Sequence, residues 1–452
     1  MASFFTQWPA ETYLLDPGAG IGSLTEAFAE RFRERAPRSA TLEAHGYEVD
    51  RVLLGYLKEH LQGIGGRLRD RGQGFRGLAH DRDFIHEANF LSGMGAPRFT
   101  HAILNPPYKK IANASEYRRL LRAVGLETGN LYSAFLGLTI TLMVDGGEIV
   151  AIVPRSFCNG TYFRPFRRFL LERTAITHLH VFASRSSAFK DDEVLQENLI
   201  IRLVRGAKPQ PVAVSFSQDA HFTDLERRIV PFAEIVHPGD THQFIRIPDG
   251  RSDKSDALLL CTLTDLGLAV STGPVVDFRV RAHAQSNPEG DHAPLLYAHH
   301  FRHGRLSWPI EHKKPNALAL HPDTRKWLMP RGFYTLTKRF SAKEERRRLV
   351  AFVVDPNEMP QPLYGFENHL NVFHEGKAGL PEELARGLAV FLNSTVADQA
   401  FREFSGHTQV NAGDLRSLHY PDRATLIRYG QWAKQSGSAT QEAIDACVEG
   451  LP

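Results

Sequence analysis

Asn105-Pro106-Pro107-Tyr108 follows directly on the apolar stretch Phe99-Thr100-His101-Ala102-Ile103-Leu104. One proline ending a strand is common, but four specified residues at that place form a far more specific arrangement. The Asn105 side-chain carbonyl and the Pro106 main-chain carbonyl can each accept one hydrogen of a primary amine. An amine conjugated to an aromatic ring is a poor nucleophile, because its lone pair is delocalised. Two acceptors polarise it and draw the nitrogen towards tetrahedral geometry, so that the lone pair points at an electrophile such as a sulfonium methyl. The prolines, Pro106 and Pro107, fix the backbone and preorganise both acceptors, which is where electrostatic catalysis gains most. Tyr108 offers a face on which an aromatic substrate can stack. No general base of shifted pKa is required, since the proton leaves once the nitrogen is cationic.

A cofactor half lies upstream. Leu14-Leu15-Asp16-Pro17-Gly18-Ala19-Gly20-Ile21-Gly22 reads as a strand, a glycine-rich turn and the start of a helix. Small residues there let backbone amides approach a ligand. A glycine turn alone is weak evidence. Here Asp16-Pro17 stands where a dinucleotide fingerprint starts with glycine, and an acidic residue at that place can meet a cofactor's ammonium group. The expected turn residues are therefore Asp16, Pro17, Gly18, Ala19, Gly20 and Gly22. Glu48, in Tyr47-Glu48-Val49-Asp50, is placed to accept from ribose hydroxyls at the tip of the second strand, with Val49 packing on adenine. Asp83 and Phe84 supply a third acidic tip and a ring cover for that adenine. Each carboxylate alone reads equally as a loop or capping residue; three in order, each closing a strand, point to a cofactor.

These groups need a scaffold. Thr12–Asp16, Leu42–Val49, His101–Leu104, Glu148–Val153, Ile176–Phe182 and Asn198–Val204 read as strands, and Ser23–Arg35, Arg51–Leu61, Tyr132–Val144 and Tyr162–Glu172 carry helical spacing. Strand–helix alternation implies an α/β domain with a mostly parallel sheet. The last two strands, with no helix between them, suggest an antiparallel hairpin at the sheet edge. Gly63–Gly77, rich in glycine and arginine, reads as a loop. From about Gly206 prolines and a mixed pattern mark a boundary, giving domains at 1–245 and 246–452, the second of α+β character.

Composition sets the outer limits. A chain of 452 residues accommodates two cores, and 42% hydrophobic with 23% charged residues is ordinary for a soluble protein. Nothing approaches a membrane span or a signal peptide. Cys158, Cys261 and Cys447 suggest neither a disulfide framework nor a zinc site, so a cytoplasmic location is expected. The net charge of +3 identifies no polyanionic ligand by itself; the placement of charge has to carry that inference.

Taken together, these motifs resemble the amino-methyltransferases of bacterial restriction–modification systems. The glycine turn, Tyr47–Asp50, Asp83-Phe84 and Asn105–Tyr108 look like their motifs I to IV, in the order of the gamma group of adenine-N6 DNA methyltransferases (TaqI/PstI-like modification methylases). The resemblance implies S-adenosyl-L-methionine as cofactor and the N6 amine of a flipped adenine in double-stranded DNA as target. It also implies a seven-stranded Rossmann-like class I methyltransferase domain, then an α+β target-recognition domain. A flipped base needs a second stacking face, for which Phe189 in Ser187-Ala188-Phe189-Lys190 is the candidate. The family's Phe-x-Thr-Pro motif normally lies a helix ahead of motif I. Phe4-Phe5-Thr6-Gln7-Trp8-Pro9 is only superficially similar and leaves no room for that helix, so cofactor affinity is expected to depend on a missing segment.

The second half mixes aromatics with positive charge: residues 299–305, Lys313-Lys314, Arg325-Lys326, Lys338-Arg339 and Arg346-Arg347-Arg348. Such mixtures suit phosphate positioning and base-edge readout. Lys338-Arg339-Phe340-Ser341 and Gly406–Asn411 look like segments of restriction-linked relatives. Irregular histidine spacing argues against a metal site. No nuclease arrangement stands out, so cleavage is expected of a separate cognate restriction endonuclease. The rival readings are an RNA adenine methyltransferase, a protein glutamine methyltransferase and a non-catalytic DNA-binding homologue.

Overall fold

The computed structural model describes the chain apart from residues 95–97, 161, 183–197, 218–221, 249–258, 303–304, 342–346, 405–408, 438 and 451–452. It divides into two compact units, Met1–Pro248 and Asp249–Pro452.

The first unit alternates β1 (Glu11–Pro17), α1 (Ser23–Arg35), β2 (Thr41–Tyr47), α2 (Arg51–Arg69), β3 (Gly74–His80), α3 (Phe84–Gly93) and β4 (Phe99–Leu104). It continues with α4 (Glu116–Ala123), α5 (Leu131–Leu142), β5 (Met143–Pro154), α6 (Arg164–Arg173), β6 (Thr174–Phe182), β7 (Asn198–Arg205), β8 (Val212–Ser217) and β9 (Glu226–Val230). The strands form one sheet in the order β3-β2-β1-β4-β5-β7-β6-β8-β9. Pairing is parallel from β3 through β5, and β7 runs antiparallel to both β5 and β6.

Period-two alternation explains the unbroken apolar strands. Leu14, Ile103, Val150 and Ile152 pack on one face against Phe28, Phe32, Leu57 and Leu61 of α1 and α2. Leu15, Ala102, Leu104, Ile149, Ala151 and Val153 pack on the other against Ala88, Leu138 and Phe166. A parallel sheet covered on both faces has no polar side to show.

The expected seven strands are present, extended to nine by β8, which joins β6 in parallel, and β9. The β6–β7 hairpin is therefore internal, because β8 covers the edge that β6 was expected to leave open. Gly63–Gly77 is not a loop: α2 continues to Arg69 and β3 begins at Gly74. Three of its glycines serve close packing. A Cβ on Gly65 would lie 3.1 Å from the Phe75 ring, one on Gly74 2.9 Å from Thr41 Cγ2, and one on Gly77 2.9 Å from Leu61 Cβ. Only Gly72, at φ +83°, makes the turn.

The N-terminal segment is bound across the sheet. Buried Glu148 on β5 accepts from Thr6 N at 2.9 Å and Thr6 Oγ1 at 2.7 Å, and pairs with Arg202 of β7. Phe5 packs edge-on against Phe28 at 4.9 Å.

The second unit is α+β. Ala269–Thr272, Leu370–His374, Tyr334–Lys338 and Ala351–Val354 form an antiparallel sheet in that order. A five-stranded mixed sheet runs beside it in sequence, and helices Glu382–Leu392, Thr395–Phe404, Arg423–Ser436 and Gln441–Gly450 close the chain. Helices Glu382–Leu392 and Arg423–Ser436 cross at glycines: a Cβ on Gly387 would lie 1.7 Å from Leu426 O, and one on Gly430 1.8 Å from Glu383 O. No described helix is long and apolar enough to cross a membrane.

Candidate active site

Strand order reverses between β1 and β4, the neighbours from which β2 and β5 lead away in opposite directions. In open α/β sheets such a switch point opens a crevice at the strands' carboxyl ends. Leu15 pairs with Ala102, so the glycine turn after β1 and the Asn105 loop after β4 emerge side by side. A Cβ on Gly18 would come within 4.0 Å of Pro107 Cδ.

A cleft of about 400 Å³ occupies this place, lined by Gly18, Glu48, Val49, Asp83, Phe84, Asn105 and Pro107. Seven of the residues read from the sequence, on four separate strand ends, thus meet in one cavity of a size that suits a small molecule. Its other walls are Tyr47, Arg82, Ile85, Tyr117, Leu131 and Phe135. Tyr47 and Arg82 adjoin motif residues in sequence. Leu131 and Phe135 stand at i, i+4 on α5 and face the same way, a spacing that could have marked them. Tyr117 carried no sequence signal.

The glycine turn is left-handed three times, at Gly18 (φ +76°), Gly20 (φ +56°) and Gly22 (φ +92°). Side chains rarely adopt that region. Gly18 N and Ala19 N both donate to Tyr47 O at 2.9 Å, and Gly22 caps α1. Glu48 holds this region together: Oε2 accepts from Gly20 N at 3.0 Å, and Oε1 from Val49 N and Asp50 N at 2.8 Å. Val49 is 61% exposed beside it, an apolar side chain on the cleft wall.

Asp16 lies deeper than the cleft wall, 1% exposed. Its Oδ2 accepts from Thr25 Oγ1 at 2.7 Å, and its Oδ1 has no hydrogen-bond partner among the described residues. Burial, opposed by Thr25, pushes its pKa up to about 7. Pro17 ends β1, and Ala19 is buried in the core under α2. Asp83 caps α3, its Oδ1 accepting from Ile85 N at 2.9 Å and His86 N at 3.1 Å, while Oδ2 accepts from the Tyr117 hydroxyl. That bond, with burial, raises the Tyr117 phenol to about 12. Phe84 is buried between Tyr47 and Phe135, with ring centroids 5.5 and 5.1 Å away.

In the Asn105–Tyr108 loop Asn105 and Pro107 are exposed, Pro106 is buried and Tyr108 is half-buried. The Tyr108 hydroxyl donates to Asn105 Oδ1 at 3.0 Å. Tyr108 therefore has a part that its sequence position did not reveal: its hydroxyl holds the Asn105 side-chain carbonyl in place. Its ring meets Tyr132 edge-on at 6.3 Å. Phe189, the expected second stacking ring, lies outside the described residues.

One residue in each of two basic groupings read from the second half serves the fold. Arg348 is buried, its backbone N donating to Asp398 Oδ1 at 2.6 Å and its Nε to Ser341 Oγ at 3.2 Å, so it is no phosphate contact; Arg346 lies outside the described residues. His300 is buried between Tyr297 N (3.1 Å) and Asn316 Oδ1 (3.0 Å). A separate trio, His283, His321 and Asp323, brings its ligand atoms within 4.8 Å of one another. There His321 Nδ1 accepts from Asp323 N at 3.2 Å as a helix cap.

A doubly covered, mostly parallel sheet with a cleft of about 400 Å³ at its switch point has the fold of the Rossmann-like methyltransferases. Residues 58–189 match the family model of the Eco57I restriction-modification methylases. The chain is 46% identical over 449 residues to the type II methyltransferase M.BsuBI of Bacillus subtilis, covering 97% of this chain and 88% of that protein. It is 41% identical over 435 residues to the type II methyltransferase M.PstI of Providencia stuartii, covering 94% and 85%. The Type IIL restriction-modification enzyme MmeI, solved in complex with DNA, shares the fold at 11% identity, with a TM-score of 0.54 over 97% of this chain and 67% of that one. The chain belongs to the type II methyltransferases of restriction–modification systems.

Proposed function

We propose that this protein methylates the N6 amine of an adenine flipped out of double-stranded DNA, using S-adenosyl-L-methionine. The observation that carries this reading is the Asn105 carbonyl, fixed by Tyr108 at the mouth of a cleft bearing Glu48 and Asp83.

The cleft's chemistry suits that cofactor. Glu48 and Asp83 offer acceptors for ribose hydroxyls and an adenine amine, and Val49 and Phe84 offer apolar faces for the adenine ring. Oδ1 of buried Asp16, without a hydrogen-bond partner among the described residues, is a further acceptor for the cofactor's ammonium group, whose charge would favour the ionised carboxylate. When bound, the cofactor supplies an electrophilic methyl on a sulfonium centre.

The chain's own residues prepare the nucleophile. Asn105 Oδ1 and the Pro106 carbonyl each accept one hydrogen of the exocyclic amine, which localises the nitrogen lone pair. The acceptors are held before the substrate arrives, so little reorganisation is needed as charge develops. Tyr108 stacks on the extruded base and returns part of the few kcal/mol that flipping costs. The proton then leaves to solvent. A cognate restriction endonuclease of the same specificity is the expected counterpart of this activity in the cell.

The test is transfer of labelled methyl from S-adenosyl-L-methionine to duplex DNA, to RNA and to total protein in parallel. Label in DNA alone supports the reading. Label in RNA or protein, with none in DNA, sinks it.

A further inference from the structure

Segments 338–341 and 409–411 are far apart in sequence but paired in the fold. Phe340 bridges Gln409 in antiparallel fashion, and Val410 N donates to Arg339 O at 2.8 Å. A buried polar scaffold fixes the pair from beneath. Asn371, fully buried, donates through Nδ2 to Val410 O at 2.8 Å and Thr337 Oγ1 at 3.3 Å. The Arg339 guanidinium donates to Asn368 O at 3.0 Å and to Asn411 Oδ1 at 3.5 Å.

Above this scaffold stand three side chains the fold does not use. Phe340 is 45% exposed, resting at 5.0 Å on the half-exposed ring of His369. The Lys338 ammonium and the Gln409 amide have no hydrogen-bond or ion-pair partner among the described residues. A lone exposed apolar residue needs no explanation. Here, however, an aromatic ring, an amide and an ammonium are presented together on backbone held by buried hydrogen bonds, with an arginine below them for which no carboxylate partner is found among the described residues.

That set of groups matches one ligand well. A ring stacks on or wedges between bases, an amide pairs with an adenine edge, and an ammonium meets a phosphate. An acidic peptide would engage the cations and leave the ring and amide idle. We propose that Lys338, Phe340 and Gln409 form a contact surface for double-stranded DNA, with Phe340 meeting bases, Gln409 a base edge and Lys338 a phosphate. The surface rests on the reading that DNA is the substrate, and it locates where the second unit reads it.

The experiment uses the full chain, with sheared, unmethylated bacterial chromosomal DNA as the binding probe and as the substrate for mapping methylated sites by sequencing. Phe340→Ala is expected to weaken binding roughly tenfold, the scale of one lost stacking contact, and Phe340→Tyr to restore it. Lys338→Ala is expected to lower the slope of log affinity against log salt by about one phosphate contact. Gln409→Ala is expected to relax the methylated sequence at one position. Melting temperature and cofactor binding should stay at wild-type values, since none of the three side chains supports the core. Wild-type affinity, salt slope and site preference in all three variants would overturn the proposal while leaving the substrate reading intact. Failure of the unaltered protein to bind DNA would overturn both.

Discussion

Removing the Tyr108 hydroxyl while keeping its ring separates two jobs that one residue performs. In Tyr108→Phe the stacking face remains, but Asn105 Oδ1 loses the donor that holds it at 3.0 Å. A neutral, partly exposed hydrogen bond contributes about 0.5–1.5 kcal/mol, which corresponds to a loss of about two- to tenfold in the rate of methyl transfer. Asn105→Ala deletes the acceptor itself, and loss of one preorganised partner typically costs about 10²–10³ in rate. If the hydroxyl works only through Asn105, the two effects cannot add. The double variant should then be as slow as Asn105→Ala alone. Single-turnover methyl transfer at saturating DNA and cofactor measures this without interference from product release. Multiplication of the two losses in the double variant would refute the positioning argument. So would a Tyr108→Phe enzyme of wild-type rate.

Asp16 is neutral in the folded protein up to about pH 7, whereas the unfolded chain ionises it near pH 4. Its raised pKa gives stability that is full below about pH 4 and is lost as pH rises to about 7, by at most about 1.4 kcal/mol per pH unit. Thermal unfolding of Asp16→Asn should show a flatter profile across that window, and parallel profiles would contradict the assignment. Glu148→Ala leaves Arg202 without its buried partner and unfastens Thr6, so a loss of about 3–5 kcal/mol in denaturant unfolding is expected; a change below 1 kcal/mol (roughly one surface pair) would show the pair to be dispensable. Gly387→Ala forces a methyl group into Leu426 O, and should destabilise by about 1–3 kcal/mol or more; unchanged unfolding would mean that the helices part without cost.

Strands β1, β2, β4 and β5 of the parallel half were legible because they are largely buried and the first three run into chemically specific residues. Leu14-Leu15 running into Asp16-Pro17-Gly18 places both the strand and the turn that follows it. Helix α1 was readable to both ends, since its apolar spacing stops where Gly22 and Ala36 stop it. Glycine misled over 63–77. The same residue type serves a turn and a close contact, and only the distances to Thr41, Leu61 and Phe75 tell them apart. Strand β3 was missed for that reason, and β8 and β9 because their register is set by β6 and β8 in turn rather than by local pattern.

The site divides in the same way. Gly18, Glu48, Val49, Asp83, Phe84, Asn105 and Pro107 could be named because each closes a strand at the carboxyl edge of one sheet. Tyr117 could not, since it approaches from a separate helix and its bond to Asp83 depends on tertiary packing. Local sequence likewise hides which arginines are structural: Arg348 sits in a basic run yet is buried against Asp398.

The most direct test of the central claim is the chemical identity of the product. DNA incubated with the protein and S-adenosyl-L-methionine, digested to nucleosides and separated by mass, should contain N6-methyladenine with the unaltered chain and at least about a hundredfold less with Asn105→Ala. Methylated cytosine in place of N6-methyladenine, or equal N6-methyladenine from both proteins, would contradict the account.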